Sequence, residues 1–222
     1  MNNNLTELIF VLDRSGSMEH LTEETIGGFN SLIEKQKDDT NGEVYVTTAL
    51  FDDKYEVLYD HINIHNIPRL TRKEYYARGC TALLDAVGRT IDTVGKRLSA
   101  TVESDRPGKI LFVITTDGYE NASRDYTKKK VKEMINLQQD TYSWKFLFLG
   151  TDIDAVGEAD SIGIRESRAC RPAATSSGIS SSFHAVSHIT QFLRETPCLA
   201  LNDAEFDDNF DKECALAFLK VE

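Results

Sequence analysis

The stretch Leu8–Met18, which reads LIFVLDRSGSM, decides the predicted fold. It opens with a continuous apolar run, which is typical of a buried parallel strand with both faces covered. Asp13, Ser15 and Ser17 follow the run at alternate positions, and Gly16 allows the loop between the serines to fold tightly. This pattern predicts a central strand that ends in a polar loop at one edge of a sheet.

Other segments predict the rest of the sheet. Ile110–Ile114 and Phe146–Leu149 are continuous apolar runs, and Val44–Phe51 mixes β-branched and aromatic residues. Tyr55–Tyr59 follows a tight connection and is predicted to return as an antiparallel edge strand. Arg168–Ala174 is the candidate for a last strand.

Helices are predicted between the strands, where apolar side chains recur at spacings of three and four. The first is capped by Thr22 and has Ile26, Phe29 and Ile33 on its apolar face, and the second covers Leu83–Leu98. The others run from the basic start Lys128–Lys130 through Gln138, from an Asp152 cap through Ala159 with Gly163 ending it, and over Ser181–Arg194. Gly27 and Gly28 cost helix stability, and a close approach of the helix to the sheet would explain them. The alternation predicts an α/β fold, a doubly wound sheet, mostly parallel with one antiparallel edge strand and with helices on both faces.

Composition limits the class of protein. The chain has 222 residues and a net charge of −11, which disfavours nucleic acid and anionic membranes as partners. No apolar run approaches the ~18 residues of a membrane span. The N-terminus does not resemble a secretory signal, and the four cysteines form no CxxC pair, so we expect reduced thiols and a cytoplasmic protein. Residues 1–195 are predicted to form one domain, followed by a tail, 196–222, with a short final helix.

Five oxygen-bearing side chains predict a metal site. Asp13 ends the first apolar run and Asp117 follows the run at Ile110–Ile114, so both carboxylates are expected at the same edge of the sheet. Ser15, Ser17 and Thr81 add hydroxyl groups. Hard oxygen donors of this kind are preferred by Mg²⁺ and Mn²⁺. Thr81 is also a candidate N-cap for the helix that follows it.

The segments DRSGSM, GCTALLDA and TTDG, in this order, resemble the metal-ion-dependent adhesion site of von Willebrand factor type A domains. The resemblance extends over roughly Leu5 to Arg194. Within the family, the chain is most similar to small bacterial stand-alone members. It implies a Rossmann-like fold that binds Mg²⁺ or Mn²⁺, with Ser15, Ser17 and Thr81 as direct ligands and Asp13 and Asp117 acting directly or through water. It also implies that an acidic side chain of a partner protein fills the open coordination position.

Side chains around the site are predicted to form a rim that contacts this partner. The rim candidates are Arg14, His20, Asp52, Asp53, Arg78, Tyr119, Glu120 and Asn121. Tyr119 is the best of them, because exposed aromatic residues are enriched in binding hot spots. For any single rim residue, a solvated loop surface is the alternative interpretation.

Three functions are compatible with the sequence. The first is a non-enzymatic protein-interaction module that binds a partner's carboxylate through the metal and has no small-molecule substrate. The second is a metal-dependent hydrolase of phosphate esters, although His20 is the only histidine near the motif and no GxSxG, Walker or GxGxxG motif is present. The third is an assembly factor that binds through its tail, whose acidic run from Asp203 to Asp211 is predicted to be solvated.

Overall fold

Six strands form one sheet in the order β3-β2-β1-β4-β5-β6. The structure, a computed structural model, describes residues 1–151, 153–172, 175–197 and 202–219. The strands are β1 (Asn2–Asp13), β2 (Glu43–Phe51), β3 (Tyr55–Asn63), β4 (Pro107–Thr116), β5 (Lys145–Gly150) and β6 (Ala169–Cys170). Only the β2–β3 pair among them is antiparallel, and β3 lies at an edge. The predicted fold class is therefore confirmed.

Six α-helices cover the sheet. They are α1 (Thr22–Asp38), α2 (Leu83–Ala100), α3 (Lys128–Tyr142), α4 (Ala155–Ser161), α5 (Ser176–Glu195) and α6 (Asp203–Leu219), with 3₁₀ segments at Gly16–Leu21, Ile64–Asn66, Glu103–Asp105 and Glu166–Arg168. Among the described residues, none of these helices combines the length and the apolar character that a membrane crossing requires.

The two faces of the sheet form two separate cores. Leu8, Phe10 and Leu12 of β1 join the core under α1, α5 and α6, whereas Ile9 and Val11 join the core under α2 and α3. This division follows from the period of two in a strand, which sends successive side chains to opposite faces. The single tryptophan, Trp144, belongs to the second core, where it is 3% exposed and stacks against Phe146 at 6.2 Å.

Two predicted helix caps are wrong, and the third lies outside the described residues. Thr22 is the first residue of α1, and its hydroxyl donates to the carbonyl of Met18 because a 3₁₀ segment leads directly into the helix. Thr81 does not cap α2, which begins at Leu83 after Ala82. Asp154 caps α4, as its carboxylate accepts from the backbone N–H of Gly157 at 3.1 Å, while the predicted cap Asp152 lies outside the described residues.

The glycine pair in α1 approaches a helix and not the sheet. A Cβ on Gly28 would lie 2.4 Å from a ring carbon of Phe183 in α5, whereas a Cβ on Gly27 would meet nothing within 4 Å. Gly28 therefore permits the close packing of α1 on α5, and the predicted approach to the sheet is wrong.

The tail packs onto the domain through α6. Phe206 and Phe210 are fully buried in the first core. Asp203 and Asp207 form ion pairs with Arg168, and Asp203 also pairs with Lys145. The prediction that the acidic run is solvated is wrong for these two residues, because their charges compensate buried cations of β5 and of the 3₁₀ segment before β6. The predicted last strand is also shorter than expected, since β6 contains only two residues. The division at residue 195 stays a prediction.

Candidate metal site

Two neighbouring strands bring the candidate carboxylates together. β1 pairs with β4 in parallel register, with Leu12 opposite Thr115, so Asp13 and Asp117 leave the sheet side by side. Oδ1 of Asp13 accepts from the backbone N–H of Ser15 at 2.6 Å, and Oδ2 accepts from the hydroxyl of Thr116 at 2.6 Å. The first hydrogen bond folds the loop after β1 back over the end of its own strand.

The candidate hydroxyl groups face these carboxylates. The hydroxyl of Ser17 donates to Oδ1 of Asp117 at 2.6 Å, and the hydroxyl oxygens of Ser15 and Ser17 lie 3.2 Å apart. Thr81 completes the group, since a Cβ placed on Gly118 would lie 3.2 Å from Thr81 Oγ1 and 3.6 Å from Ser17 Oγ. The structure therefore brings together all five side chains that the sequence analysis selected as metal ligands.

The electrostatic environment of Asp13 is unfavourable for an isolated carboxylate. Burial, together with a smaller effect of the Asp117 charge, raises the pKa of Asp13 to about 6, although hydrogen bonds from Thr116 and Ser15 act in the opposite direction. The Asp13 side chain is completely inaccessible to solvent. Two carboxylates held this close at neutral pH favour a compensating cation.

Main-chain hydrogen bonds connect the loops that carry the ligands. The backbone N–H of Gly16 donates to the carbonyl of Gly79 at 3.1 Å, and that of Arg78 donates to the carbonyl of Arg14 at 2.8 Å. The backbone N–H of Ala82 donates to the carbonyl of Asp52 at 2.9 Å. The loop after β1, the loop after β2 and the loop before α2 are thus held to one another.

Two predicted rim residues are buried. Arg14 is 1% exposed, and its Nε donates to Asp52, which is fully buried, at 2.9 Å. A second arginine, Arg78, donates from Nε to the same carboxylate oxygen at 2.8 Å. Burial would raise the pKa of Asp52, but hydrogen bonds from Arg78, Lys54 and Arg14 lower it below its ordinary value. The prediction of a partner-facing rim is therefore wrong for Arg14 and Asp52, since their side chains support the loops from within.

Glu120 and Asn121 are also engaged in holding the loops. The carboxylate of Glu120 accepts from the backbone N–H groups of Leu84, Ala122 and Ser123 at 2.7–2.9 Å, so it joins the loop after β4 to the start of α2. The side-chain oxygen of Asn121 accepts from the backbone N–H of Thr81 at 2.9 Å. These contacts are those of scaffold residues.

The remaining rim candidates lie at the surface beside the site. Tyr119 is 53% exposed, and its hydroxyl accepts from the backbone N–H of Asp154 at 3.2 Å. His20 and Asp53 are exposed, and the side chain of Arg78 is 35% exposed. Their exposure is compatible with a partner-facing rim, and that role stays a prediction for these four residues.

Sequence reasoning did not assign a role to two residues of the site. The hydroxyl of Tyr75, a fully buried residue, donates to the backbone carbonyl of Asp13. Thr116 donates to the carboxylate of Asp13, as described above. Thr116 lies within the TTDG segment, next to Asp117, and this position could have indicated its role in the site. Tyr75 lies 62 residues from Asp13 in an irregular segment, and no local pattern connects the two.

The donor set fits a hard divalent cation. All the converging atoms are oxygens, from two carboxylates and three hydroxyl groups, which suits Mg²⁺ and Mn²⁺ and not metals that prefer thiolate or imidazole. Across the described part of the chain, no group of three or more histidine, cysteine, aspartate and glutamate side chains is arranged to hold a metal ion. A cation at this edge of the sheet would therefore depend on the serine and threonine hydroxyl groups.

Solved structures with the same fold are von Willebrand factor type A domains. Proximal thread matrix protein 1 from the mussel byssus, solved with a zinc-occupied MIDAS motif, aligns at a TM-score of 0.58 and 14% identity over 83% of this chain and 45% of its own. The von Willebrand factor type A protein from Catenulispora acidiphila aligns at 0.56 and 12% identity over 82% of this chain and 42% of its own. The corresponding domain of the type V pili tip protein Mfa5 from Porphyromonas gingivalis aligns at 0.58 and 11% identity, over 86% of this chain and 96% of that domain.

This chain thus spans less than half of the byssus and Catenulispora chains. No protein-family model matches it, and no curated protein matches it in sequence. At these low identities the likeness concerns the fold. The chain has the fold of a von Willebrand factor type A domain, which confirms the architecture that the sequence resemblance implied. The oxygen-lined loop cluster lies at the carboxyl ends of β1 and β4, the edge at which open α/β sheets bind ligands.

Proposed function

We propose that this protein binds Mg²⁺ or Mn²⁺ through Asp13, Ser15, Ser17, Thr81 and Asp117, and that it uses the bound cation to hold a carboxylate of a partner protein. The observation that carries the proposal is the close approach of these five side chains, which come from three separate loops. When bound, the cation supplies an electrophilic position for an oxygen ligand from outside. The byssus protein with its zinc-occupied MIDAS motif supports divalent-metal binding by this fold.

The role that we propose is one of binding and not of catalysis. The hydroxyl of Ser17 is hydrogen-bonded to Asp117. The histidine nearest to the motif in the sequence is His20, and its Nδ1 lies 2.8 Å from the carbonyl oxygen of Ser17. His20 therefore interacts with the backbone of the loop. The pilus tip protein among the solved structures supports an interaction role. We further propose a cytoplasmic location, where Cys80 and Cys170 would stay as free thiols.

Metal binding is tested by calorimetric titration of the full chain with MgCl₂ and MnCl₂. We expect saturable binding at one site, and we expect Ser17→Ala and Thr81→Ala to weaken it because each removes one hydroxyl donor. Ser99→Ala is the matched control, since Ser99 lies at the far end of α2 and its hydroxyl donates to the carbonyl of Lys96. Equal affinity in all four proteins, or no binding by the unmodified protein, would overturn the proposal.

Carboxylate capture is tested with glutarate as the probe. The relaxation of water protons on protein-bound Mn²⁺ is measured while glutarate is added. A fall in the relaxation enhancement would indicate that a carboxylate displaces bound water. The Ser99→Ala control should show the same fall. An unchanged enhancement at saturating glutarate would contradict the carboxylate-binding role.

A further inference from the structure

Asp52 lies between two of the loops that carry candidate metal ligands. It follows β2 directly and is fully buried. Its Oδ2 accepts from Nε of Arg14 at 2.9 Å and from Nε of Arg78 at 2.8 Å, while its Oδ1 accepts from the backbone N–H of Lys54 at 2.7 Å. One carboxylate thus joins three segments of the chain.

The two arginines belong to different ligand loops. Arg14 stands between Asp13 and Ser15, and Arg78 stands three residues before Thr81. The backbone N–H of Arg78 also donates to the carbonyl of Arg14 at 2.8 Å. A shift of Asp52 would therefore be transmitted to the loop of the serines and to the loop of the threonine together.

The charges of this cluster also bear on the site. Arg14 carries a buried positive charge inside the very loop that would bind a cation. Asp52 compensates this charge, and Glu56 accepts from Nη2 of Arg14 at 2.8 Å with its side chain 51% exposed. A buried cation that loses its partner is strongly destabilised, and here it would also repel a divalent ion nearby.

The contacts of Arg78 extend the cluster to the surface. Its Nη1 donates to the hydroxyl of Tyr76 at 2.7 Å, and its guanidinium carbon lies 5.1 Å from the centre of the Tyr76 ring. The guanidinium of Arg14 lies 5.7 Å from the same ring. Tyr76 is 42% exposed, so the buried bridge connects directly to a residue at the surface beside the site.

We propose that Asp52 is a positioning residue for the metal site: it holds the Asp13–Ser17 loop and the loop before Thr81 in one arrangement through Arg14 and Arg78, and so sets the affinity for Mg²⁺ and Mn²⁺ without contacting the cation. This inference rests on the proposed metal-binding function. Residues that support metal ligands from behind commonly change metal affinity by about 10–100-fold when they are replaced.

The test compares the Mg²⁺ and Mn²⁺ affinities of the full chain and of four variants by calorimetry. Asp52→Asn keeps the size of the side chain and removes its charge, Arg78→Met removes one arm of the bridge, and the double variant carries both changes. Glu34→Gln is the matched control, because Glu34 also accepts from a cation at the surface, Lys37 on α1, but contacts neither arginine among its described hydrogen bonds. Circular dichroism confirms that each variant is folded at the temperature of the titration.

We expect Asp52→Asn and Arg78→Met each to weaken binding by about tenfold or more. The double variant should bind no more weakly than the poorer single variant within about twofold, because both changes break the same bridge. Glu34→Gln should change affinity by less than about threefold, as an ion pair at the surface of α1 contributes little. A purely structural role would lower the melting temperature in EDTA and leave the affinity of the folded protein unchanged.

Unchanged affinity in the folded Asp52→Asn protein would overturn the inference. If Asp52→Asn does not fold, Arg78→Met decides, since its side chain is partly exposed, and unchanged affinity in that variant would likewise overturn it. A fully additive double variant would show that the two residues act separately and would also count against the bridge. Failure of the proposed function is distinguishable, because in that case the unmodified protein itself gives no binding heat with either ion.

Discussion

Asn121 and Thr81 form a reciprocal pair: the side-chain oxygen of Asn121 accepts from the backbone N–H of Thr81 at 2.9 Å, and the backbone N–H of Asn121 donates to the carbonyl of Thr81 at 3.0 Å. Thr81 is only 3% exposed, so solvent has little access to this backbone. The pair fixes the loop before α2 against the loop after β4. It is a second attachment of the loop before α2, in addition to the contact that Asp52 makes with Arg78.

Replacement of Asn121 by alanine should loosen Thr81. We expect Asn121→Ala to lower the free energy of unfolding by about 1–3 kcal/mol, because the buried N–H of Thr81 loses its acceptor. We also expect weaker binding of Mg²⁺. Chemical unfolding and calorimetry measure the two effects. Asn66→Ala, at an exposed asparagine of a 3₁₀ segment, is the control, and an equal loss of stability in both variants would refute the role of the pair.

Replacement of Asp13 by asparagine should separate stability from metal binding. Because burial raises the pKa of Asp13, its ionised form is costly in the metal-free protein, and Asp13→Asn should stabilise the protein in EDTA at neutral pH by about 2 kcal/mol. The amide can donate to Thr116, whose hydroxyl can turn toward the carbonyl of Gly118, 3.1 Å away. Thermal unfolding in EDTA measures the gain.

The same variant should lose the stabilisation that metal gives the unmodified protein. At a free Mg²⁺ concentration of about 100 times the dissociation constant, that stabilisation is about 2.7 kcal/mol. Asp38→Asn, at an exposed carboxylate near the end of α1, should retain the full gain with Mg²⁺. If Asp13→Asn were also stabilised by Mg²⁺ to the full extent, Asp13 would not belong to the site.

The glycine pair in α1 offers an internal comparison. Gly28→Ala should destabilise the protein by about 1–3 kcal/mol, because the new methyl group would overlap Phe183 of α5, which is buried. Gly27→Ala should instead stabilise it by up to about 1 kcal/mol through helix propensity alone. Urea unfolding of both variants gives the comparison. Effects of the same sign would contradict the packing of α1 on α5.

The attachment of α6 should depend on pH through Asp203. Burial alone would raise the pKa of this carboxyl, but hydrogen bonds from Lys145 and Arg168 and their charges hold it well below its ordinary value. A carboxyl group with a lowered pKa contributes its full stabilisation at pH values above the pKa of the unfolded chain, about 3.9. This stabilisation is lost as the pH falls below that value. The difference in stability between the unmodified protein and Asp203→Asn should thus be constant near neutral pH and shrink below about pH 4.

At pH 7 we expect Asp203→Asn to cost on the order of 1–2 kcal/mol, since Arg168 is buried while solvent screens the half-exposed Asp203. Thermal unfolding across pH values measures the dependence. Asp208→Asn, one turn on at an exposed position of α6, provides the comparison and should show neither effect. A difference that persists unchanged at pH 3 would mean that the charge of Asp203 is not responsible.

The elements of the fold that follow from local patterns could be predicted from the sequence. Leu8–Leu12 is continuously apolar and is completely buried within β1. The spacing of the apolar residues predicted α2 from Leu83 to Leu98, and the helix extends from Leu83 to Ala100. The placement of the carboxyl ends of the parallel strands at one edge then followed from the handedness of α/β connections. The five converging oxygens could be predicted for the same reason, because strand ends of a parallel sheet share one edge.

What could not be predicted depends on contacts between distant residues. Arg14 resembles an exposed loop residue in the sequence, yet Asp52 and Glu56, 38 and 42 residues away, accept its hydrogen bonds and allow its burial. The clash that keeps residue 28 a glycine involves Phe183. The sequence of the acidic run predicts solvated side chains, but in the structure Lys145 and Arg168 form ion pairs with two of its aspartates. In each case the partner lies on another element, and sequence spacing carries no information about it.

The position of Trp144 has a practical consequence for spectroscopy. It immediately precedes β5, so it lies at the amino ends of the parallel strands, whereas the carboxylates lie beyond their carboxyl ends. Its indole is enclosed among apolar side chains and is the only one in the sequence. The emission spectrum of Trp144 should therefore stay unchanged when ions or partners bind. It should shift to the red only when the hydrophobic core unfolds, so tryptophan fluorescence reports denaturation without interference from ligands.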